Sequence, residues 1–564
     1  MIVLLVAAVP AAVGSSSELA PSGTPGSLPT GLAGTPLRSD EVRRPAREDV
    51  APAGRRLSPA RAGRIADGLA LVRRERRRYP GATREVLLKG PSRWQVSYFA
   101  KVAVGDPRKE VAQVIVDDRS GAVLEQYSDY KVAWTMARGY PGAFGRVVNS
   151  PIVWIPLALL FLVPFFHPRR SPRMLQLDLL VLSAFSVSLA FFNAAKIEWS
   201  VPLVYPLLLY LLVRMLWIGL RRSDAEQQAR RPLELLVPVS WLAIAVVFLL
   251  GFRVALNVTR SNVIDVGYAG VIGADRLVDG RALYGAFPSE NQNGDTYGPS
   301  VYAAYVPFEQ AFTWSGKWDD LPAAHAAAIA FDLLACLLCF LVGRRVRGPD
   351  LGIVLAYAWV TFPFTLYASM TNSNDALVAV LVLVALWAAG RPLARGAMLA
   401  LAGLTKFAPL VLAPLYATHG GGRARRWPSR RGLALFALGF AAAAALVFAP
   451  VLAHNDLRSF WDASIAFQAK RGSPFSIWGL YEGAWIDKLQ LAVQIAAVAG
   501  AVALAFVPRR RDLVGLAALS AAILIALQLG ITHWFYLYIP WFFPLVMIAL
   551  LGRCGAPVRV AARG

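Results

Sequence analysis

Side chains suited to catalysis or to binding a charged ligand run from Asp265 to His533. Asp265 is the first acidic residue after an apolar run, in Asn262-Val-Ile-Asp265-Val-Gly-Tyr268. A carboxylate there is suited to act as a general base, taking the proton of a hydroxyl as that hydroxyl attacks. An isolated aspartate is more often solvated or a helix cap, so its neighbours decide the reading. Lys406, in Gly403-Leu-Thr-Lys406, interrupts an apolar segment shortly before Pro409. A cation at that point suits a phosphate leaving group, whose charge grows as its bond breaks; the bland alternative is a lysine reaching for the membrane interface. Arg471, in Lys470-Arg471-Gly-Ser-Pro474, offers a planar fork for two hydrogen bonds to phosphate, although loop arginines usually face water. His533 opens His533-Trp-Phe-Tyr-Leu-Tyr538; it is suited to binding an acceptor or assisting proton transfer, and the run itself to a membrane aromatic belt. Asn374-Asp375 begins a predicted helix, as a first-turn pair stabilised by free N–H groups or as a polar wall of a substrate cavity. Tyr297, in Thr296-Tyr-Gly-Pro299, joins the candidate substrate-binding residues. Asp332, inside an apolar span, must face a partner or a wet cavity. Asp275, Asp279 and Asp295 read as solvated or capping residues.

Those residues hang on membrane helices. Over 564 residues the chain is 56% hydrophobic and 16% charged, with mean hydropathy +0.49, a balance that excludes a soluble protein of this size. The net charge of +23 comes largely from arginines at span ends and in an N-terminal polar segment, which points to membrane orientation and anionic lipid, not nucleic acid. The 3 cysteines have no zinc spacing, and no metal site is expected. Residues 1–14 have the length of a signal peptide or signal anchor. Residues 15–57, rich in Pro, Gly, Ser and Arg, read as a disordered linker. An amphipathic helix over 60–78 and strands at 94–99, 111–116 and 122–127 form a small α+β domain over 58–135. From Pro151 onward apolar stretches approach the ~20 residues needed to cross a bilayer, giving about twelve spans in an all-α polytopic bundle: accessory helices over 151–230 and a core over 235–552.

Arginine counts orient the spans, with clusters at 167–173, 221–231, 344–347 and 509–511 inside. A single crossing by 393–417 would put the basic run 423–431 outside. The conflict disappears if that segment breaks at Lys406-Phe-Ala-Pro409 and folds back, with Lys406 at an outward tip. The loops 257–321 and 454–487 then lie on that same outer face.

The helix followed by a meander with the Asp117-Asp-Arg-Ser-Gly121 turn resembles a PepSY domain, which implies a regulatory or inhibitory module. The order Asp265-Val-Gly-Tyr268, Gly280-Arg-Ala-Leu-Tyr284, Tyr297-Gly-Pro299, Asp332, Phe362-Pro363, Asn374-Asp375 and Gly403-Leu-Thr-Lys406 resembles GT-C glycosyltransferases, especially those using polyprenyl-phosphate mannose. The resemblance covers about 235–551 and implies that Asp265 is the catalytic aspartate. It departs from the family at the front, where the aspartate loop usually follows the first membrane helix. What it implies is transfer of one sugar, a mannose-like hexose or a pentose, from a polyprenyl-phosphate-linked donor to a glycolipid, glycan or protein hydroxyl outside the plasma membrane. Asp265 would be the base, with Lys406 and Arg471 on the phosphate and no cofactor. The competing readings are a transporter or flippase of a lipid-linked glycan, which needs no base, and a non-catalytic membrane regulator carrying the PepSY-like domain.

Overall fold

A computed structural model describes residues 42–101, 109–139, 144–166, 173–221, 232–420, 429–481, 483–507 and 512–559. The segment 1–14, most of the linker, and the basic stretches 167–172, 222–231, 423–428 and 509–511 lie outside the described residues.

The N-terminal unit is an antiparallel meander of β1 (Val42–Arg43), β2 (Thr83–Lys89), β3 (Arg93–Phe99), β4 (Glu110–Asp117) and β5 (Val123–Ser128), in that order. Helices α1 (Pro59–Asp67) and α2 (Ala70–Arg78) lie between β1 and β2 in sequence. Trp94, Val96 and Tyr98 alternate along β3, so all three reach one face and pack with Val114 and Val116 against Ala62, Ala66 and Val72 of the helices. Ser58 caps α1 by accepting from Arg61 N, with Pro59 in the first turn. The expected helix over 60–78 breaks at Leu69, whose extended backbone separates α1 from α2. The end of the expected linker is ordered: Val42 pairs with Lys89 and Arg43 with Leu88. Asp118 is buried and ties the 56–57 segment to the sheet, accepting from Arg56 N, Leu57 N and Trp94 Nε1.

The rest is helical. In chain order it comprises α3 (Pro151–Leu162), α4 (Met174–Asn193), α5 (Ile197–Leu220), α6 (Val239–Arg260), α7 (Asp265–Val278), α8 (Pro299–Ala311), α9 (Pro322–Arg347), α10 (Pro349–Thr361), α11 (Pro363–Met370), α12 (Asp375–Trp387), α13 (Pro392–Gly403), α14 (Arg430–Leu452), α15 (Ala484–Phe506), α16 (Leu513–Gly530) and α17 (Ile539–Leu551). Among the described residues, 7 helices are long and apolar enough to cross a membrane: α4, α5, α6, α9, α14, α15 and α16. The pair α10 and α11, bent by 58°, makes an eighth if taken as one span. The chain is a multi-pass membrane protein. The four other expected spans, at 151–166, 375–390, 393–417 and 533–551, resolve as shorter apolar helices. The 13 residues of α12 rise only about 20 Å, short of a ~30 Å hydrocarbon core. A run of apolar residues counts towards a span in sequence even where Pro, Asp375 or Lys406 stops the regular helix.

Two features fix the bundle's ends. The strand β6 (Pro232–Leu235) pairs in parallel with β7 (Gly555–Arg559), Arg347 Nε donates to Gly552 O at 2.9 Å, and Arg173 pairs with Glu234 at 3.2 Å. Span ends that the arginine counts place together are therefore together. The segment 393–417 is interrupted where expected: α13 ends at Gly403, Lys406 lies in the break, and the chain leaves through Ala408–Ala417 to Thr418, whose hydroxyl reaches Ala505 O at 2.9 Å.

The helices preceding the core are packed into it. Ser188 of α4 and Ser200 of α5 both lie 2.7 Å from the Tyr536 hydroxyl. Gly219 lets α5 approach α16 so closely that a Cβ there would sit 2.4 Å from the Leu519 side chain. Trp534, Phe535 and Tyr536 are buried in these contacts, so they form no lipid-facing belt. Asp332 of α9 finds its partner in Arg253 of α6, with a 2.5 Å contact, a second at 2.8 Å, and Trp359 Nε1 donating at 2.9 Å.

Candidate active site

Asp265 is placed by backbone pairing. It is the first residue of α7, reached from α6 through Ser261–Ile264, which runs along the end of α11: Asn262 N donates to Met370 O and Ile264 N to Thr371 O, both at 3.2 Å. Asn372 adopts a left-handed backbone (φ 51°), which asparagine tolerates better than most residues, and its amide donates to Asn262 O at 3.0 Å. Asn257 locks this turn from α6 by donating to Asn372 Oδ1 at 2.9 Å. Gly267, Gly270 and Gly273 share a face of α7. A Cβ on Gly267 would lie 2.3 Å from Asn372 O, and on the other two it would strike the Tyr305 and Tyr302 rings of α8. The small-residue stripe thus seats the start of α7 against Asn372, with Asp265 within electrostatic reach of Asp375.

A second close approach brings in the lysine. Gly298 packs on the Leu404 carbonyl, where a Cβ would lie 2.0 Å away, and Ser300 N donates to that oxygen at 3.1 Å. Tyr297 is thereby held with its ring 5.4 Å from Lys406 Nζ. Tyr538 and Trp541, one turn apart at the start of α17, complete an aromatic cage at 5.6 and 5.4 Å. Inside it Lys406 Nζ lies 2.5 Å from Asp375 Oδ1, and Trp541 Nε1 donates to the same oxygen at 3.0 Å. The other Asp375 oxygen and both side-chain polar atoms of Asn374 are buried with no hydrogen-bond partner among the described residues.

Arg471 and His533 form the facing wall. The Arg471 guanidinium carbon lies 5.3 Å from the Trp134 ring centroid and 6.0 Å from that of Phe467, and Arg471 makes no ion pair among the described residues. His533 Nδ1 is 2.9 Å from Ser473 Oγ, and its ring stacks on Trp134 at 5.5 Å. Burial, then the Arg471 and Lys406 charges, hold His533 well below its ordinary pKa, so the ring is neutral near pH 7.

The Asp265 side chain is exposed to solvent yet has protein closely around it. Burial raises its pKa above the usual carboxylate range and the charge of Asp375 adds to this; Arg471, the Val266 N–H and Lys406 pull it back down. The Tyr297 hydroxyl is pushed well above its ordinary value by burial and by the Asp265 charge. The structure therefore brings together Asp265, Tyr297, Asn374, Asp375, Lys406, Arg471 and His533, whereas Asp332 is taken up by Arg253. It differs in one respect that matters chemically. The charge of Lys406 is already balanced by Asp375, whereas that of Arg471 is not balanced by any ion pair among the described residues. Asp275 and Asp279 pair with Arg281, and Asp295 ties the loop by accepting from Gly285 N at 2.6 Å. Trp134, Ser473 and Trp541 were not singled out in sequence. Only Trp541 carried a signal, its one-turn spacing from Tyr538.

The fold and site define a multi-pass membrane protein with a water-accessible carboxylate and converging cations at one end of its bundle. Residues 296–530 match the model of glycosyltransferase family 87, a match that implies a membrane glycosyltransferase. The matched stretch holds Tyr297, Asn374, Asp375, Lys406 and Arg471; Asp265 and His533 flank it. No curated protein matches the chain.

Proposed function

We propose that the protein transfers one sugar, a mannose-like hexose or a pentose, from a polyprenyl-phosphate-linked donor to a glycolipid, glycan or protein hydroxyl on the outer side of the plasma membrane. The acceptor oxygen attacks the anomeric carbon, the bond from that carbon to the phosphate oxygen breaks with its electron pair leaving on phosphate, and Asp265 takes the hydroxyl proton. A single displacement of this kind inverts the anomeric centre. The observation that carries the reading is a carboxylate that is open to solvent, has a raised pKa and lies within electrostatic reach of Arg471, a cation free of any ion pair among the described residues. Arg471 is the main phosphate ligand, and Lys406, neutralised by Asp375, chiefly shapes the wall. His533 and Tyr297 line the acceptor side, and Asn374 with the free Asp375 oxygen meets sugar hydroxyls. No cofactor takes part. In this reading the helix pair on its meander over 58–135 is a PepSY-like domain outside the cytoplasm, and the clustered ends near Arg173, Arg347 and Arg553 are cytoplasmic.

The test is Asp265→Asn in purified full-length protein reconstituted with a polyprenyl-phosphate sugar. Turnover is expected to fall by about 10²–10⁴-fold with the elution profile unchanged; wild-type transfer by the folded variant would sink the proposal. The bent α10–α11 pair and the break at Lys406 also suit a transporter. That reading predicts that Asp265→Asn leaves movement of lipid-linked sugar across vesicles intact and that no wild-type sugar transfer is detected.

A further inference from the structure

The segment leaving the N-terminal sheet does not simply connect it to the membrane. After β5 a helical turn, Tyr130–Ala133, and a second, Thr135–Arg138, flank Trp134, whose non-helical backbone (φ −106°, ψ 86°) turns the chain between them. The segment is pinned from both sides. Tyr130 bonds Glu198, Lys131 Nζ donates to Ala195 O at 3.0 Å, and Gly139 packs against the Ala195 backbone between α4 and α5. On the other side Arg138 lies 4.2 Å from the Tyr127 ring of β5 while donating to Lys131 O and Val132 O. Trp134 is only 7% exposed. Its ring meets two residues of the candidate site, His533 stacked at 5.5 Å and the Arg471 guanidinium at 5.3 Å, and packs edge-on against Phe475 at 5.3 Å. Its indole N–H is buried without a hydrogen-bond partner among the described residues.

We propose that Trp134 is a positioning residue for phosphate binding, so that the N-terminal domain supplies part of the site through its exit segment. This rests on the reading of the cavity as a lipid-phosphate site. An arginine with no carboxylate partner has several rotamers open to it, and binding phosphate through two parallel hydrogen bonds requires one orientation of the fork. Holding the guanidinium over an aromatic face restricts where it can sit and leaves its N–H groups available to a ligand. The same ring closes one side of His533, whose hydrogen-bond partner, Ser473, lies two residues beyond Arg471. One side chain from outside the core thus holds both loops that carry the facing wall.

The test uses full-length protein carrying Trp134→Ala, Trp134→Leu or Trp134→Phe, with donor KM and kcat measured separately. Trp134→Ala and Trp134→Leu are expected to raise donor KM about tenfold and to change kcat by less than about threefold, while Trp134→Phe, which keeps a ring, stays within about threefold of wild type in both. Thermal stabilisation by polyprenyl phosphate without sugar is expected to be lost in Trp134→Leu and kept in Trp134→Phe. If Trp134→Ala fails to fold, the other two variants decide. A folded Trp134→Leu with wild-type KM and wild-type stabilisation by the lipid phosphate overturns the proposal, as does a Trp134→Phe protein no better than Trp134→Leu. If these variants behave like wild type while Asp265→Asn is inactive, only this inference falls; wild-type transfer by Asp265→Asn removes the functional reading beneath it.

Discussion

Two of the buried ion pairs in this bundle are finished differently. In the Arg253–Asp332 pair both carboxylate oxygens are engaged, the spare guanidinium nitrogen reaches Val360 O, and Trp359 donates to Asp332. In the Lys406–Asp375 pair, one carboxylate oxygen receives both lysine and indole while the other has no partner among the described residues, and Asn374 beside it is equally unmet. A charge pair in a low-dielectric interior is tolerated when every lone pair and proton is used. The first pair meets that condition with protein alone, as a scaffold element must. The second leaves capacity that a polar ligand would fill, and it lies among the groups that face Asp265. Completeness of hydrogen bonding, more than burial or charge, separates framework from site.

That distinction fails or sharpens by mutation. Arg253→Met strands Asp332 and is expected to cost about 3–5 kcal/mol of stability, read as a large loss of folded protein in thermal unfolding, with residual enzyme keeping a normal KM. A smaller effect is expected at the facing wall. Arg471→Met removes a cation that favours ionised Asp265, so the pKa of the base rises further and the acid limb of kcat/KM against pH moves to higher pH; a limb that stays put or moves down would separate Arg471 from the base. The smallest effect is expected at Asn374. Its side-chain amide makes no hydrogen bond among the described residues, so Asn374→Leu should leave stability unchanged or raise it by about 1 kcal/mol while weakening donor or acceptor binding. If Asn374→Leu destabilises as strongly as Arg253→Met, the comparison is wrong.

The legible parts of this molecule were those where one residue type stands out against its surroundings. A lysine in an apolar run three residues before a proline announced the break at Lys406, and an aspartate following a span and preceding glycines announced Asp265. The α+β character of the N-terminal unit was readable from Trp94–Phe99 and Val111–Val116. What could not be read was pairing across helices. Nothing local joins Asp375 to Lys406, or Trp134 to Arg471, because each contact depends on which helices pack together. The expected spans outnumber the long helices for a related reason: hydropathy registers apolar residues, not unbroken helix length. β2 was missed because its Arg84, Glu85 and Lys89 mask the alternation. The aromatic run after His533 looked interfacial until α4 and α5 were seen to cover it.

The bend of 58° between α10 and α11 has a consequence for the bilayer in which the protein sits. The tail of that pair, Met370–Asn372, is the template along which Asp265 is aligned, so the height of the carboxylate is tied to the bend. Both helices are buried among the others, so bilayer thickness reaches the bend only through the outer spans around it. In vesicles of graded acyl length the rate is expected to pass through a maximum, with donor affinity changing less than kcat on either side.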